Sequence, residues 1–424
     1  MLAFRARYVF PVVSPPIHDG IVAIDHDRIV GVSESSSPAL RDLLPAARDL
    51  GDVAILPGLI NSHTHLEFSN LRQPLGKAGM AFADWIGLVV NSRQARLAES
   101  DGDPIASGLS ESVECGVTAL GEIASSPWQR ELSLPLEVTE FCEVICFRRD
   151  RDHQRYQTAV KAVTCASDET VPSVHWTDTF RPGISPHTPY TVRPELIQQC
   201  VKYSAERSIP LAIHLAETRE ELQLLKHSTG PMVDLMKEFG QWDPDEIPRN
   251  TRPLDYLKTL TEAHRALVIH GNYLDDDEID FLAAHVDRMS AIYCPRTHAF
   301  FHHEPYPLTK MLAAGVNVAL GTDSRASNPD LSILSEMRFA AAQHLEVPPT
   351  TLLRMITADA AKALGRDSET GTLTPGKFAD LAIVALPSHN WADPYEQLLD
   401  SACHVLATIF RGRAVYGQKL LMQS

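Results

Sequence analysis

Leu56-Pro57-Gly58-Leu59-Ile60-Asn61-Ser62-His63-Thr64-His65 decides how this chain is read. An apolar run of strand character passes through Pro-Gly and ends in two histidines one residue apart. Side chains alternate faces along a strand, so His63 and His65 share a face. In a parallel α/β barrel the C-terminal ends of the strands form the mouth where chemistry takes place. The pair alone decides nothing, because 18 histidines in 424 residues supply about one such pair by chance.

Downstream the pattern repeats. From about residue 54 to about residue 373, short apolar runs alternate with longer stretches of helical period, the signature of βα units. The strand candidates are Ala54–Ile60, Val117–Ile123, Glu137–Cys146, Pro182–Ser185, Pro210–His214, Ala266–His270, Ser290–Tyr293 and Val316–Leu320. Helix starts punctuate them: Thr218 with Glu221 and Asp275 with Glu278 read as capping boxes, and Pro194 suits a first helical turn. Eight units in series predict an α/β fold, a closed (β/α)8 barrel of TIM type over residues 57–371.

Outward of the barrel both ends are β-rich. Arg5–Val12, Gly20–Asp25 and Ile29–Val32 open the chain, with a turn at His26-Asp27-Arg28. Asp380–Ala385 and Val405–Val415 close it, after a turn at Thr374-Pro375-Gly376-Lys377. Both sets need a shared core, so residues 1–56 and 372–424 are expected to pair into one small β-sandwich domain.

Composition removes whole classes of function. With 54 acidic against 38 basic residues and a net charge of −16, the chain lacks the footprint of a nucleic-acid or anionic-membrane binder. No window approaches the roughly 20 apolar residues of a membrane helix, and the N-terminal apolar run stops at Pro11, short of a signal-peptide core. Seven sparse cysteines with no CxxC pair read as reduced thiols, and a cytoplasmic location is expected. The partner expected is a small-molecule substrate, and a homo-oligomer stays open.

Ordered position gives the histidines their weight. His63, His65, His214 and Asp323 each stand at or just past a strand end and converge at one mouth if the barrel closes. Three imidazoles and a carboxylate suit one divalent ion per chain. Zinc comes first, with iron or manganese as alternatives, and the nitrogen ligands disfavour calcium and magnesium.

The segments LPGLINSHTH, AIHLAET, VIHGNYL and ALGTDSRASN, in this order, resemble the amidohydrolase superfamily, specifically its deaminase and chlorohydrolase branch. The resemblance covers nearly the whole chain, and ITADAAKALG followed by GTLTPGKFADLAIV is similar to the family's last barrel helix and its return to the sandwich. It implies that His63, His65, His214 and Asp323 bind a metal, that His270 orients the attacking water and that Glu217 shuttles protons. Asp323 would also take the water's proton, so Glu217, His270 and Asp323 are the catalytic set. The alternative for Glu217 is a helix-start acid favoured by the macrodipole. Gly183-Ile184-Ser185-Pro186-His187 holds no lysine, where two-metal members carry a carboxylated one, so one metal is expected.

The segment SPHTPY resembles a substrate-contacting turn of aminopurine and nucleoside deaminases, which makes His187 a substrate candidate. Cys294-Pro295-Arg296-Thr297-His298 replaces the Pro-x-Ser-Asn of adenosine-analogue deaminases, which points away from that one substrate and makes Arg296 and His298 candidates. Glu67, Glu122 and Arg148 also lie near predicted strand ends. The reaction implied is hydrolytic deamination of an aminated heterocycle, such as an aminopurine, a pterin or a nucleoside. Chloride displacement or other C–N hydrolysis would use the same groups. A catalytically silent barrel is the third reading, and the intact ligand set with Glu217 argues against it.

Overall fold

A computed structural model describes residues 1–36, 47–96, 103–126, 135–146, 154, 156–161, 163, 179–387 and 393–422. Arg148 lies outside them. Eight strands form one parallel sheet in chain order: Leu59–Thr64, Val117–Ala124, Glu137–Val144, Phe180–Pro186, Pro210–Leu215, Arg265–His270, Met289–Tyr293 and Val318–Leu320. Each pairs with the next. The last meets the first at a bridge between Thr64 and Asp323, where the Asp323 amide donates to the His63 carbonyl at 3.0 Å. The sheet thereby closes as a barrel, and the expected fold is the one observed.

Burial on both faces explains the apolar runs. One set of strand residues, including Ile60, Phe141, Ala212, Leu267 and Ile292, packs with Ala360 and Leu364 beside the helix Ala358–Ala363. The others, such as Leu211, Ile213 and Val268, join the main core with the surrounding helices. Helix starts follow the sequence signals. Pro194 opens its helix, Asp275 and Glu278 cap reciprocally, and Thr218 accepts from the Glu221 amide.

The chain ends share a second sheet. Val53–Pro57, reached from the N-terminus, runs antiparallel to Leu381–Ala385 with Ile55 opposite Ile383, and this pairing joins the two ends. Phe4, Val22, Ile24, Ile55, Leu381 and Ile409 share one apolar cluster there. The predicted strand Ala54–Ile60 is corrected by this arrangement, because it divides at Gly58 between the two sheets. The Gly58 amide donates to the Asp380 carbonyl at 2.7 Å, and a Cβ there would sit 2.0 Å from Thr118 Oγ1. Only glycine lets the chain cross at that point.

No helix among the described residues is long and apolar enough to cross a membrane. Cys115, Cys200, Cys294 and Cys403 are free thiols.

Candidate active site

Strand alternation and barrel closure together build the cage. The rings of His63 and His65 stand 4.9 Å apart, and that of His214 lies 5.0 Å from His63 and 5.5 Å from His65. Asp323 Oδ1 is 3.7 Å from His63 Nε2 and 3.8 Å from His65 Nε2. Candidate ligand atoms of His63, His65 and Asp323 all lie within 4.8 Å of one another, as do those of His63, His214 and His270. That spacing fits one ion with bonds of about 2.0–2.2 Å.

Hydrogen bonding supports the same reading. Both ring nitrogens of His63 and the Nδ1 of His65 are buried without a hydrogen-bond partner, although buried polar atoms ordinarily find one. His214 Nδ1 donates to the His187 carbonyl at 3.1 Å, which leaves Nε2 as the lone-pair nitrogen. Burial, with repulsion from neighbouring rings, pushes His65 and His214 well below the usual imidazole range, so both are neutral and able to bind a cation. Burial alone would push the Asp323 carboxyl up, but His63, His270 and His65 hold it below the usual carboxylate range.

The strand ends are also bent. His270 and Asp323 adopt φ of 67° and 57°, and Ala216, just past His214, adopts 54°. Such left-handed residues cost about 1–3 kcal/mol each and persist where surrounding bonds hold them. Asp323 Oδ1 accepts from the Ser324 amide at 2.7 Å, and the His270 carbonyl accepts from Tyr306 Oη at 3.0 Å.

Glu217 follows the fifth barrel strand, before the helix Arg219–His227, and its Oε1 lies 3.4 Å from His270 Nε2. Burial, reinforced by the charge of Asp323, raises its carboxyl well above the usual range. Glu221 secures that turn by accepting from the amides of Ala216 and Glu217 at 2.9 and 2.7 Å. Glu217, His270, His65, His214 and Asp323 all border one cavity of about 420 Å³.

His187 borders the cavity too, with Nδ1 2.9 Å from Thr191 Oγ1, and burial pushes its ring down to about 3. Sequence reasoning missed the remaining wall. Phe82, Trp85 and Val89 from the helix Phe82–Arg96 face Met232 and Met236 from the helix Pro231–Glu238. The i, i+4 spacing of the methionines was the only signal, and a core face gives the same one. Arg93 also lines the cavity, held by Glu67 at 2.5 and 3.2 Å and by Ser125 at 3.0 Å.

Residues 146–415 match the profile of the amidohydrolase family. The chain belongs to the amidohydrolase family. Over 397 residues it is 29% identical to the 5-methylthioadenosine/S-adenosylhomocysteine deaminase of Moorella thermoacetica, covering 89% of this chain and 83% of that one. The Helicobacter pylori aminofutalosine deaminase, solved with methylthio-coformycin, superposes with a TM-score of 0.85 at 22% identity over 98% of this chain and all of that one. The zinc-complexed atrazine chlorohydrolase of Arthrobacter aurescens reaches 0.78 at 19% identity over 98% and 95%. The two structural likenesses establish the fold of this amidohydrolase.

Two expected substrate contacts stand behind the cavity wall. Arg296 is not among its lining residues; its guanidinium and amide are bound to Glu336 and Asp330. Its place at a helix start, one residue after Pro295, turns it toward the helix Ile333–Gln343. His298 packs among Tyr293, Tyr306 and His303, with ring centres 5.3–5.8 Å away, and does not line the cavity either. Glu122 accepts from the Leu66 amide at 3.1 and 3.0 Å, pinning the turn after His65.

Proposed function

We propose that this amidohydrolase is a zinc-dependent deaminase that hydrolyses the exocyclic amine of an adenine-nucleoside-like substrate and releases ammonia. The observation that carries the reading is the placement of Glu217 and His270, 3.4 Å apart, beside a histidine–aspartate cage on one cavity. The named activities of the adenosine-type relatives support the substrate class. They outweigh the contrary expectation drawn from Cys294–His298.

His63, His65, His214 and Asp323 would hold one ion. When bound, it supplies Lewis acidity that lowers the pKa of a coordinated water toward neutrality. His270 Nε2 orients the attacking oxygen, and Asp323 accepts its proton. Glu217, kept protonated by its buried site, donates to the ring nitrogen beside the amino-bearing carbon. Left as a carboxylate, Glu217 takes up the proton of the newly attached hydroxyl and passes it to the amine. The amine departs as ammonia as the carbonyl forms, and the proton held by Asp323 restores Glu217. Trp85 and Phe82 offer flat apolar surface for a heterocycle, and His187 contacts its edge. Residues 57–371 carry the reaction, and residues 1–56 with 372–424 support them. The free thiols of Cys115, Cys200, Cys294 and Cys403 support a cytoplasmic location.

A substrate panel tests this reading directly. 5′-Methylthioadenosine, S-adenosylhomocysteine, adenosine, a pterin and a chlorinated triazine are assayed for ammonia and chloride. Ammonia from an adenine nucleoside is expected. Chloride without ammonia would make the protein a chlorohydrolase, and no product from metal-loaded protein would leave it a silent barrel. Elemental analysis should find one zinc per chain, and two would overturn the single-metal site.

A further inference from the structure

The barrel closes at the cage by one backbone bridge backed by side chains. Its first and last strands share only the Thr64–Asp323 bridge among the described residues. Asn61 fills the gap: its Nδ2 donates to Thr322 Oγ1 at 2.8 Å, while its Oδ1 accepts from the Thr322 amide at 3.1 Å and the His63 amide at 3.4 Å. One amide group thus ties the backbone of His63 to the residue before Asp323. Asn328 Nδ2 then holds the Thr322 carbonyl at 2.7 Å and Glu336 Oε1 at 2.5 Å. Arg296 fastens Glu336 from the other side, through Nε at 2.7 Å and its own amide at 2.9 Å, and Asp330 grips the far edge of the guanidinium. Asn61, Thr322, Asn328 and Glu336 are all fully buried, and none lines the cavity.

We propose that Asn61, Asn328, Glu336 and Arg296 form a positioning relay that fixes Asp323 against His63 and His65, and so sets the affinity and coordination geometry of the metal site. The inference rests on the metal-dependent reading above. Its physical basis is that a ligand's outer hydrogen bonds orient it, and that losing them typically costs about 10–100-fold in metal affinity. A left-handed residue such as Asp323, at φ 57°, depends on such restraints more than a residue inside a ladder does. The relay also gives Arg296 a role that needs no contact with substrate.

Asn61→Ala and Arg296→Lys test it in the full chain. Zinc affinity is measured by chelator competition, and the visible spectrum of the cobalt-loaded protein reports coordination geometry. Asn61→Ala should bind zinc about 10–100-fold more weakly and shift the cobalt bands, and Arg296→Lys, which keeps the charge but loses the fork, should act in the same direction. If Asn61→Ala does not fold, Arg296→Lys and Asn328→Ser carry the test. Folded variants that bind zinc within about twofold of wild type, with an unchanged cobalt spectrum, would overturn the relay. Wild-type protein that binds neither ion would overturn the metal reading and the relay with it.

Discussion

At the mouth of the barrel, His63, His65 and Asp323 crowd within 4.8 Å of one another, and both ring nitrogens of His63 lack a hydrogen-bond partner. At the opposite end Glu137 is met by Arg366 at 2.5 and 2.7 Å and by Arg181 and Arg411 at 3.6 Å each. Glu137 and Arg366 are buried like the cage residues, and both clusters join strands to neighbouring elements. In the lower one opposite charges meet, with Glu369 joining Arg181 and Arg366. Arg366 comes from beyond the helix Ala358–Ala363 and Arg411 from the turn after Val405–Phe410 of the second sheet, so the ion pairs tie that sheet to the barrel. The upper one gathers imidazole nitrogens and one carboxylate, with no positively charged side chain among them. Lone pairs that face one another in a buried site are costly unless a cation enters. The contrast separates a site built to bind from a joint built to hold.

The contrast breaks first at Glu217. Glu217→Gln keeps the shape of the side chain but cannot carry a proton, so turnover should fall at least about a hundredfold while zinc content and melting temperature stay near wild type. His63→Ala/His65→Ala should abolish both zinc binding and turnover. Near-normal turnover in Glu217→Gln would make Glu217 a helix-start acid and move the proton shuttle elsewhere.

The lower cluster should show the reverse pattern. Arg366→Met leaves Glu137 without its forked partner, and breaking a buried pair this way costs about 3–5 kcal/mol. Denaturant unfolding should register that loss, while zinc affinity of the folded protein stays unchanged. If stability held and zinc affinity fell, the two ends would be coupled and the division between them lost.

Removing the metal sharpens the same division. Ligand binding stabilises the native state by mass action, by about 4 kcal/mol when free ligand exceeds Kd a thousandfold. Stripping zinc should therefore lower the melting temperature of wild type and of Arg366→Met. It should leave His63→Ala/His65→Ala unmoved.

How far the sequence revealed these two regions depended on where each interaction begins and ends. The grouping of the cage residues could be read because His63 with His65, His214 and Asp323 stand at or just past the ends of three barrel strands, and strand order brings those ends together. Glu217 was legible through its place after His214. The division at Gly58 was hidden, since the apolar run continues through Pro57-Gly58 and a strand that changes sheets looks like one strand. The direction of Arg296 was not legible, because the helix that starts at Pro295 turns the arginine toward Glu336. The cavity wall from Trp85 to Met236 and the Asn61 clamp rest on contacts between segments distant in sequence, which periodicity does not report.

The finest test lies in the lower region, at Asp380 beside the same ion cluster. Its Oδ1 accepts from the Arg411 amide at 2.8 Å and its Oδ2 from Thr370 Oγ1 at 3.2 Å, and burial pushes its carboxyl up from 3.8 to about 6. The folded chain therefore binds this proton more tightly than the unfolded chain. Its contribution to stability is full below about pH 4 and is lost as the pH rises through about 6, a span of about two pKa units or up to about 3 kcal/mol. Asp380→Asn imitates the protonated form, since its oxygen still accepts from Arg411 and its amide can donate to the Thr370 hydroxyl. Unfolding at pH 4 should then find variant and wild type alike, whereas at pH 8 the variant should be the more stable by up to about 3 kcal/mol. Zinc affinity and turnover should not change, because Asp380 neither lines the cavity nor belongs to the cage. An equal offset at both pH values would show that the Asp380 proton does not contribute, and a change in zinc affinity would carry the influence of the lower cluster up to the mouth.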